Sequence, residues 1–224
     1  APEVLELFGD KAAARALAER CGVPLVAGIN QAVSLEQAQA FCAEHGAVML
    51  KALAGGGGRG MRAVFEPATL AEAYARCQSE AQAAFGNGAL YIEQLVSDAR
   101  HIEVQVLGDG SGAVSHLWER DCSLQRRNQK LVEIAPSPDL DSGVRDAMIA
   151  AALQLAADVK YCGIGTFEFL LDAAQPGRFY FMEANPRVQV EHTVSEQVTG
   201  IDLLHTQLKL VAGQDRAALG LLQP

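Results

Sequence analysis

The sequence predicts an α+β fold, and three observations predict it. Two apolar, alternating segments flank Gly108-Asp109-Gly110-Ser111-Gly112, and two more flank a turn at Pro176-Gly177, so antiparallel hairpins are expected at both places. Helical periods fall between the strand pairs without the regular strand–helix alternation of a doubly wound parallel sheet. With 224 residues, half of them hydrophobic and a fifth charged, the chain can bury a real core as one domain, or one domain with a small lobe.

Taken in order, Asp10 can cap a helix through Lys11–Ala18 that Gly22 and Pro24 end. Ser34-Leu35-Glu36-Gln37 has capping-box spacing and opens a second helix to about His45, stopped by Gly46. Ala47–Leu53 is a short buried strand, and Arg62–Glu66 suits the strand that returns from it. Thr69-Leu70-Ala71-Glu72 has capping-box spacing before a helix to roughly Phe85, and Gly86-Asn87-Gly88 turns the chain. Strands follow at Leu90–Val96, His101–Leu107 and Ala113–Glu119, then a long helix from Asp141 or Ser142 to Val159. Strands at Gly165–Asp172 and Phe179–Glu183 make the second hairpin, and Thr193–Ala212 is helical in two pieces around Gly200.

Composition narrows the function. The net charge of −9 argues against nucleic-acid or anionic-membrane partners, which need many phosphate-neutralising Lys and Arg side chains. No apolar run approaches the roughly 20 residues of a membrane span. The five cysteines, Cys21, Cys42, Cys77, Cys122 and Cys162, are widely spaced and form no C-x-x-C pair, as expected of reduced thiols in the cytoplasm. The opening Ala1-Pro2-Glu3-Val4 lacks the basic and apolar regions of a signal peptide, and a start without Met suggests a trimmed piece.

Ala54-Gly55-Gly56-Gly57-Gly58-Arg59-Gly60-Met61 links two strands. No Gly-Lys-Ser/Thr follows, so it is not a P-loop, and it opens no helix, so it is not a dinucleotide fingerprint. A strand–loop–strand flap remains, whose backbone N–H groups could close over phosphate oxygens; a bare surface linker is the alternative. Lys51 at its base and Lys11 upstream are two cations suited to a polyphosphate. Glu168 and Glu183 lie in apolar strands, and two buried carboxylates on adjacent strands call for a cation between them. Magnesium, with its preference for hard oxygen ligands, fits, and the amide oxygen of Asn185 adds a neutral ligand. The alternative is that each glutamate pairs with Arg or faces solvent.

Four motifs carry a family resemblance through nearly the whole chain: Lys51-Ala52-Leu53-Ala54-Gly55-Gly56-Gly57-Gly58-Arg59-Gly60-Met61, Arg100-His101-Ile102-Glu103-Val104-Gln105-Val106, Glu119-Arg120-Asp121-Cys122-Ser123-Leu124-Gln125-Arg126-Arg127-Asn128-Gln129-Lys130, and Glu183-Ala184-Asn185-Pro186-Arg187-Val188-Gln189-Val190-Glu191-His192. The chain resembles the ATP-grasp domain of biotin carboxylases. That resemblance implies a small glycine-loop lid subdomain with its flanking elements, about 24–96, and a larger antiparallel-sheet subdomain, about 97–224, carrying the metal and bicarbonate sites. It implies that Lys11 and Lys51 bind ATP phosphates, that Gly57 and Gly58 belong to the closing flap, that Glu93, Gln94, Leu95 and Val96 hold the adenine, and that His101 faces the ribose or nearby polar groups.

By the same resemblance Met61, Gln125, Asn128 and Leu170 also serve the nucleotide. Glu168, Glu183 and Asn185 match the ligands of Mg²⁺ (or Mn²⁺), and Lys130, Arg187, Gln189 and the Val190 backbone match the bicarbonate site. Glu191 matches the base that deprotonates bicarbonate for attack on the γ-phosphate; the resulting carboxyphosphate breaks down to carbon dioxide, and biotin is the carboxyl acceptor. Arg187 and Lys130 complete the catalytic set, and a biotin carrier domain and a carboxyltransferase are the implied partners.

The chemistry of these side chains agrees. Arg187 offers a planar fork of donors, Lys130 a point charge and Glu191 a proton acceptor, which suits a small planar anion that must lose a proton. Read alone, Gln125–Lys130 could be a basic nucleic-acid patch, which the acidic total disfavours. His45 and His192 are read as structural.

Asn128 stands where many biotin carboxylases have His, Ala54 replaces a glycine, and Thr193 follows His192 where Pro is common; these place the chain on a divergent branch, near fused acyl-CoA carboxylases or urea carboxylase. Only ten residues precede Lys11 and little follows Gln214, so a piece of a larger carboxylase is expected. Another ATP-grasp ligase of carbamoyl-phosphate type and a non-catalytic nucleotide-binding module are the alternatives.

Overall fold

The structure, a computed structural model, describes residues 2–55 and 60–221. The chain divides into two compact units, Ala1–Leu25, Asp98–Gln125 and Lys130–Pro224 forming one, Val26–Ser97 and Arg126–Gln129 the other.

The larger unit is built on five strands, β5 (Ala99–Asp109), β6 (Val114–Arg126), β7 (Gln129–Ile134), β8 (Cys162–Asp172) and β9 (Phe179–Asn185), in the order β7-β6-β5-β8-β9. The pairs β5–β6, β5–β8 and β8–β9 are antiparallel. Side chains alternate between the two faces of a strand, and here that alternation separates structure from chemistry. Ile102, Val104, Val106, Phe167, Phe169 and Leu171 join one core with α2 (Lys11–Arg20) and α5 (Ser142–Asp158). The intervening positions Glu103, Gln105, Thr166 and Glu168 are buried polar side chains on the other face.

Two irregularities adjust this alternation. Val104 pairs with Glu119 and Val106 with His116, so Leu117 and Trp118 together oppose Gln105 in a β-bulge, with Trp118 at φ 61°. On the other side Glu168 pairs with Glu183 and Phe169 with Phe181, which makes Met182 the extra residue. The helices α6 (His192–Thr199) and α7 (Leu203–Val211) follow β9 after a connecting segment, and Leu203 packs with Leu107, Leu117 and Ile164.

In the smaller unit, β1 (Gly28–Ile29), β2 (Val48–Ala52), β3 (Met61–Val64) and β4 (Leu90–Gln94) form an antiparallel sheet in the order β1-β4-β2-β3. The helices α3 (Leu35–His45) and α4 (Leu70–Phe85) supply Phe41, Cys42, Leu70 and Cys77 to a core with Val48, Leu50, Leu90 and Ile92.

Most expected elements stand where the residues place them. Asp10 caps α2, accepting from Ala12 N at 2.8 Å and Ala13 N at 3.1 Å, and Ser34 and Gln37 form the reciprocal capping box of α3. The second capping box does not form. Thr69 sits in a 3-10 turn, Pro67–Thr69, and its hydroxyl donates to Glu66 O at 2.9 Å, so the turn that Pro67 starts takes the side chain away from the helix N–H groups. The strand expected at Ala113–Glu119 continues to Arg126 as β6 and turns back into β7, which the charged run 125–130 concealed. Arg127 and Asn128 are the two turn residues, at φ 54° and 60°, as a two-residue hairpin of the I′ kind requires. A first helix, α1 (Pro2–Gly9), was also unanticipated; it buries Phe8 edge-on against Phe167. Among the described residues no helix is long and apolar enough to cross a membrane.

Candidate active site

The polar face of the larger sheet gathers charge around one amine. Lys130, the second residue of β7, donates to Glu103 Oε2 at 2.6 Å, Glu191 Oε1 at 2.7 Å and Glu168 Oε1 at 3.1 Å. Glu103 is wholly buried and gives its second oxygen to Arg120 Nε at 2.6 Å. Arg120 is wholly buried too, and its Nη1 donates to Gln105 Oε1 at 2.8 Å and Ser195 Oγ at 2.7 Å.

Burial works against the charged forms of Lys130, Glu168 and Glu191, and their mutual attraction outweighs it. Burial works to lower the Lys130 amine, but Glu103 and Glu168 outweigh it and hold the amine well above the usual lysine range. Burial likewise works to raise Glu191, and the Lys130 hydrogen bond holds that carboxyl below its ordinary value. The same opposition holds Glu168 low, with His101 and then Lys130 as the lowering groups. Lys130, Glu168 and Glu191 are therefore charged at neutral pH.

Glu168 has more partners than the sequence suggests. His101 Nε2 lies 2.5 Å from its Oε2, while Asn185 Nδ2 at 2.7 Å and Gln189 Nε2 at 2.9 Å donate to its Oε1. Protein donors therefore surround the Glu168 carboxylate on both oxygens. Glu183, its register partner, is only half-buried. Asn185 turns its amide N–H toward Glu168, and its oxygen accepts from Arg187 Nη2 at 3.4 Å. Among the described residues, His101, Glu103 and Glu168, and Glu103, Cys122 and Glu191, are metal-competent groupings, each with ligand atoms within 4.8 Å of one another.

The segment between β9 and α6 carries the remaining candidates. Arg187 is exposed, and its guanidinium donates to Val188 O at 3.1 Å as well as to Asn185, both neutral acceptors. Gln189 is buried, and its amide oxygen accepts from the Thr166 hydroxyl, which turns the N–H₂ toward Glu168. Val190 is 93% exposed, and Glu191 occupies the N-cap position of α6. His192 bonds Gln189 O through Nδ1 at 2.7 Å.

His101 is held from both ring nitrogens, with Gln125 Nε2 2.8 Å from Nδ1. Leu170 pairs with His101 across β5 and β8. Asn128 is exposed at the hairpin turn, and Lys11 is the first residue of α2.

In the smaller unit Lys51 and Glu93 form a buried ion pair on neighbouring strands, with Lys51 Nζ 5.8 Å from the centre of the Tyr91 ring. Met61 pairs with Lys51 across β2 and β3. Gln94 N donates to Ala27 O at 2.8 Å and Leu95 N to Ala47 O at 2.9 Å, and Val96 is half-buried just beyond. Gly57 and Gly58 lie outside the described residues.

Sequence reasoning gave no role to Glu103, Gln105, Arg120, Thr166 or Ser195. A signal for Glu103 and Gln105 existed: they are the polar positions of an otherwise apolar alternating run, His101–Leu107.

The family model for the carbamoyl-phosphate synthase L chain, ATP binding domain, matches residues 10–218. The chain is 52% identical to a pyruvate carboxylase of Schizosaccharomyces pombe and 50% identical to the mitochondrial pyruvate carboxylase of Rattus norvegicus, in each case over 99% of this chain and 19% of the relative. It superposes on a Campylobacter jejuni biotin carboxylase complexed with β-γ-ATP at a TM-score of 0.88, with 46% identity, over 93% of this chain and 47% of that one. The biotin carboxylase domain of the Hydrogenobacter thermophilus 2-oxoglutarate carboxylase, complexed with MgADP, ADP and bicarbonate, gives 0.89 and 45% identity over 95% of this chain and 47% of that one. The chain thus spans 19% of the length of the curated relatives. By this match the chain belongs to the carbamoyl-phosphate synthase L chain ATP-binding-domain family, with the ATP-grasp fold of biotin carboxylases.

Proposed function

We propose that the chain is the ATP-grasp part of a biotin-dependent carboxylase and catalyses ATP-dependent carboxylation of biotin from bicarbonate. One observation carries the reading: Lys130 joins Glu191 to Glu168 and Glu103 in a single buried set, so a proton acceptor and an anion-binding cation lie side by side.

Glu191 is ionised, and bicarbonate is the proton donor it would accept from. As Glu191 takes the proton it ceases to be an anion, and Lys130 loses one of its three negative partners. The amine's charge is then released to the carbonate dianion, one oxygen of which bonds to the γ-phosphorus of ATP as the bond to the β–γ bridging oxygen breaks and ADP leaves. Arg187 is the second anion-holding group, because its partners are neutral and its charge is not already spent on a carboxylate. Gln189 and the Val190 backbone complete the bicarbonate contacts.

The donor chemistry fits a divalent cation. Glu168 and its register partner Glu183 offer hard carboxylate oxygens on adjacent strands, the ligand type that Mg²⁺ prefers. Bound Mg²⁺ or Mn²⁺ would supply charge to the phosphate oxygens, with Asn185 turning its oxygen as the third ligand. Lys11 and Lys51 serve the phosphates, the glycine loop is the flap over them, and His101, Gln125, Asn128, Met61, Leu170 and Glu93 to Val96 hold the nucleoside. On this reading 24–96 is the lid and 97–224 the metal and bicarbonate lobe. A biotin carrier domain and a carboxyltransferase are its partners, and five unpaired cysteines support the cytoplasm as its compartment.

Glu191→Gln tests the reading in the longer carboxylase that carries this chain. Glutamine keeps the shape and cannot take the proton, so bicarbonate-dependent ATP cleavage should fall by about 10²–10⁴-fold with MgATP affinity unchanged. Wild-type turnover in this variant would overturn the assignment. Cleavage stimulated by ammonia and not by biotin would shift the reading to a carbamoyl-phosphate-type ligase.

A further inference from the structure

Glu191 begins α6 and Ser195 lies one turn further on, so the two side chains leave the helix on the same side. Each is held by a cation: Lys130 Nζ meets Glu191 at 2.7 Å, and Arg120 Nη1 meets Ser195 at 2.7 Å. Both cations rest on the same carboxylate. Glu103 gives Oε1 to Arg120 and Oε2 to Lys130, each at 2.6 Å. Glu103, Arg120, Ser195, the first turn of α6, Glu191 and Lys130 thus close a ring.

The Arg120 side of the ring is built to be rigid. Arg120, Glu103, Gln105 and Ser195 are all at most 2% exposed. Gln105 in turn donates to Gly165 O at 2.8 Å, which ties the guanidinium to β8 as well as to β5. The Lys130 side is different, since its side chain keeps 19% exposure. A helix held at one turn by a buried fork, and at its N-cap by a more accessible amine, has its tilt set by the former.

We propose that Arg120 and Ser195 are positioning residues: they fix the first turn of α6 so that Glu191 meets Lys130, without themselves touching substrate. The inference rests on the proposed role of Glu191 as proton acceptor. It adds that the register of this acceptor is set by a serine hydroxyl one helical turn away. Arg120 carries the charge here because a guanidinium can bond Glu103, Gln105 and Ser195 at once from fixed directions, which an ammonium on a flexible stem cannot do equally well.

Ser195→Ala and Ser195→Thr test this in the longer carboxylase. Alanine removes the acceptor of Arg120 Nη1 and leaves Gln105 as its partner; threonine keeps the hydroxyl. Ser195→Ala should lower kcat/KM for bicarbonate at least tenfold, with KM for MgATP unchanged, and Ser195→Thr should restore most of it. A second readout does not depend on turnover: titration of ¹³C-labelled glutamate should show the Glu191 carboxyl below its ordinary range in the wild type and moved up toward it in Ser195→Ala. A uniform fall in kcat with every KM intact and Glu191 titrating as in the wild type would mean a merely structural serine and would overturn the inference. If Ser195→Ala shifts the Glu191 titration while Glu191→Gln leaves bicarbonate-dependent cleavage intact, the clamp stands and the acceptor role is what fails.

Discussion

Replacing Lys130 by Met should destabilise the chain by about 3–5 kcal/mol at neutral pH, the cost of breaking a buried ion pair from one side. The structure shows how that figure arises. Three carboxylates lose the amine, and two of them keep other donors: Glu103 keeps Arg120 Nε at 2.6 Å, and Glu168 keeps His101, Asn185 and Gln189. Glu191, only 9% exposed, loses the cation that touches it. One buried charge is therefore left without an ion pair. At an effective dielectric near 20 each close pair is worth about 4 kcal/mol gross, and much of the sum is offset by the cost of desolvating the amine.

The pH dependence gives the sharper check. In the wild type Glu168 and Glu191 have lowered folded pKa values, so their contribution is present above the ordinary carboxyl range and is lost as pH falls through the folded values. Without Lys130 the Glu191 carboxyl rises instead, so the variant gains stability relative to its own neutral value as pH falls. The gap between the two should be widest at neutral pH and should narrow on acidification. Urea unfolding across that range measures it, and adding Glu191→Gln to Lys130→Met should recover at least about 1 kcal/mol by removing the unpaired charge. A gap under about 1 kcal/mol that ignores pH would show the cluster to be screened like a surface pair, and the reasoning would be wrong.

Two further expectations concern the frame. Asp10→Ala should cost about 1 kcal/mol in thermal or urea unfolding, because Ala12 N and Ala13 N lose their shared acceptor at the start of α2; an effect near zero would mean that water caps the helix equally well. Burial works to raise Asp121, yet the Ser123 hydroxyl and Arg100 hold its carboxyl below the ordinary range, so its stabilisation is present above that range and fades as pH falls through the folded value. The stability gap between wild type and Asp121→Asn should accordingly shrink on acidification, and a pH-independent gap would refute the assignment.

Local chemistry made much of the fold legible. Asp10 and Ser34 with Gln37 each offered an oxygen to helix N–H groups that lack internal partners, and each is a cap in the structure. Thr69 shows the limit of that reasoning, because the same spacing yields no cap once Pro67, two residues before it, has set a 3-10 turn. β7 was hidden for another reason. As an edge strand it exposes Leu131 and Val132 and carries Lys130 inward, so it has neither the apolar run of a buried strand nor the clean alternation of a half-buried one.

The site was legible to the extent that its charges lie in distinctive motifs, and it became opaque where charges compensate one another. Taken singly, Glu168 asks for a cation, and magnesium was the answer the sequence suggested. In three dimensions Lys130, His101, Asn185 and Gln189 answer first, and they come from β7, β5, β9 and the segment before α6, none of them sequence neighbours of Glu168. Arg120 was harder still, because in the run Glu119-Arg120-Asp121 alternating charge reads as a solvated edge, while the fold buries the arginine completely and sets Glu103 across the sheet from it. The bulge at Trp118 adds a residue to β6 within this stretch, and the register of Arg120 against Glu103 depends on where the alternation resumes. A periodicity of two read from residue 114 onward, without the added residue, would put Arg120 on the face that Glu119 takes. The reach of Arg120 to Ser195, and through Glu103 to Lys130, therefore depends on a backbone irregularity that no side-chain pattern in β6 announces.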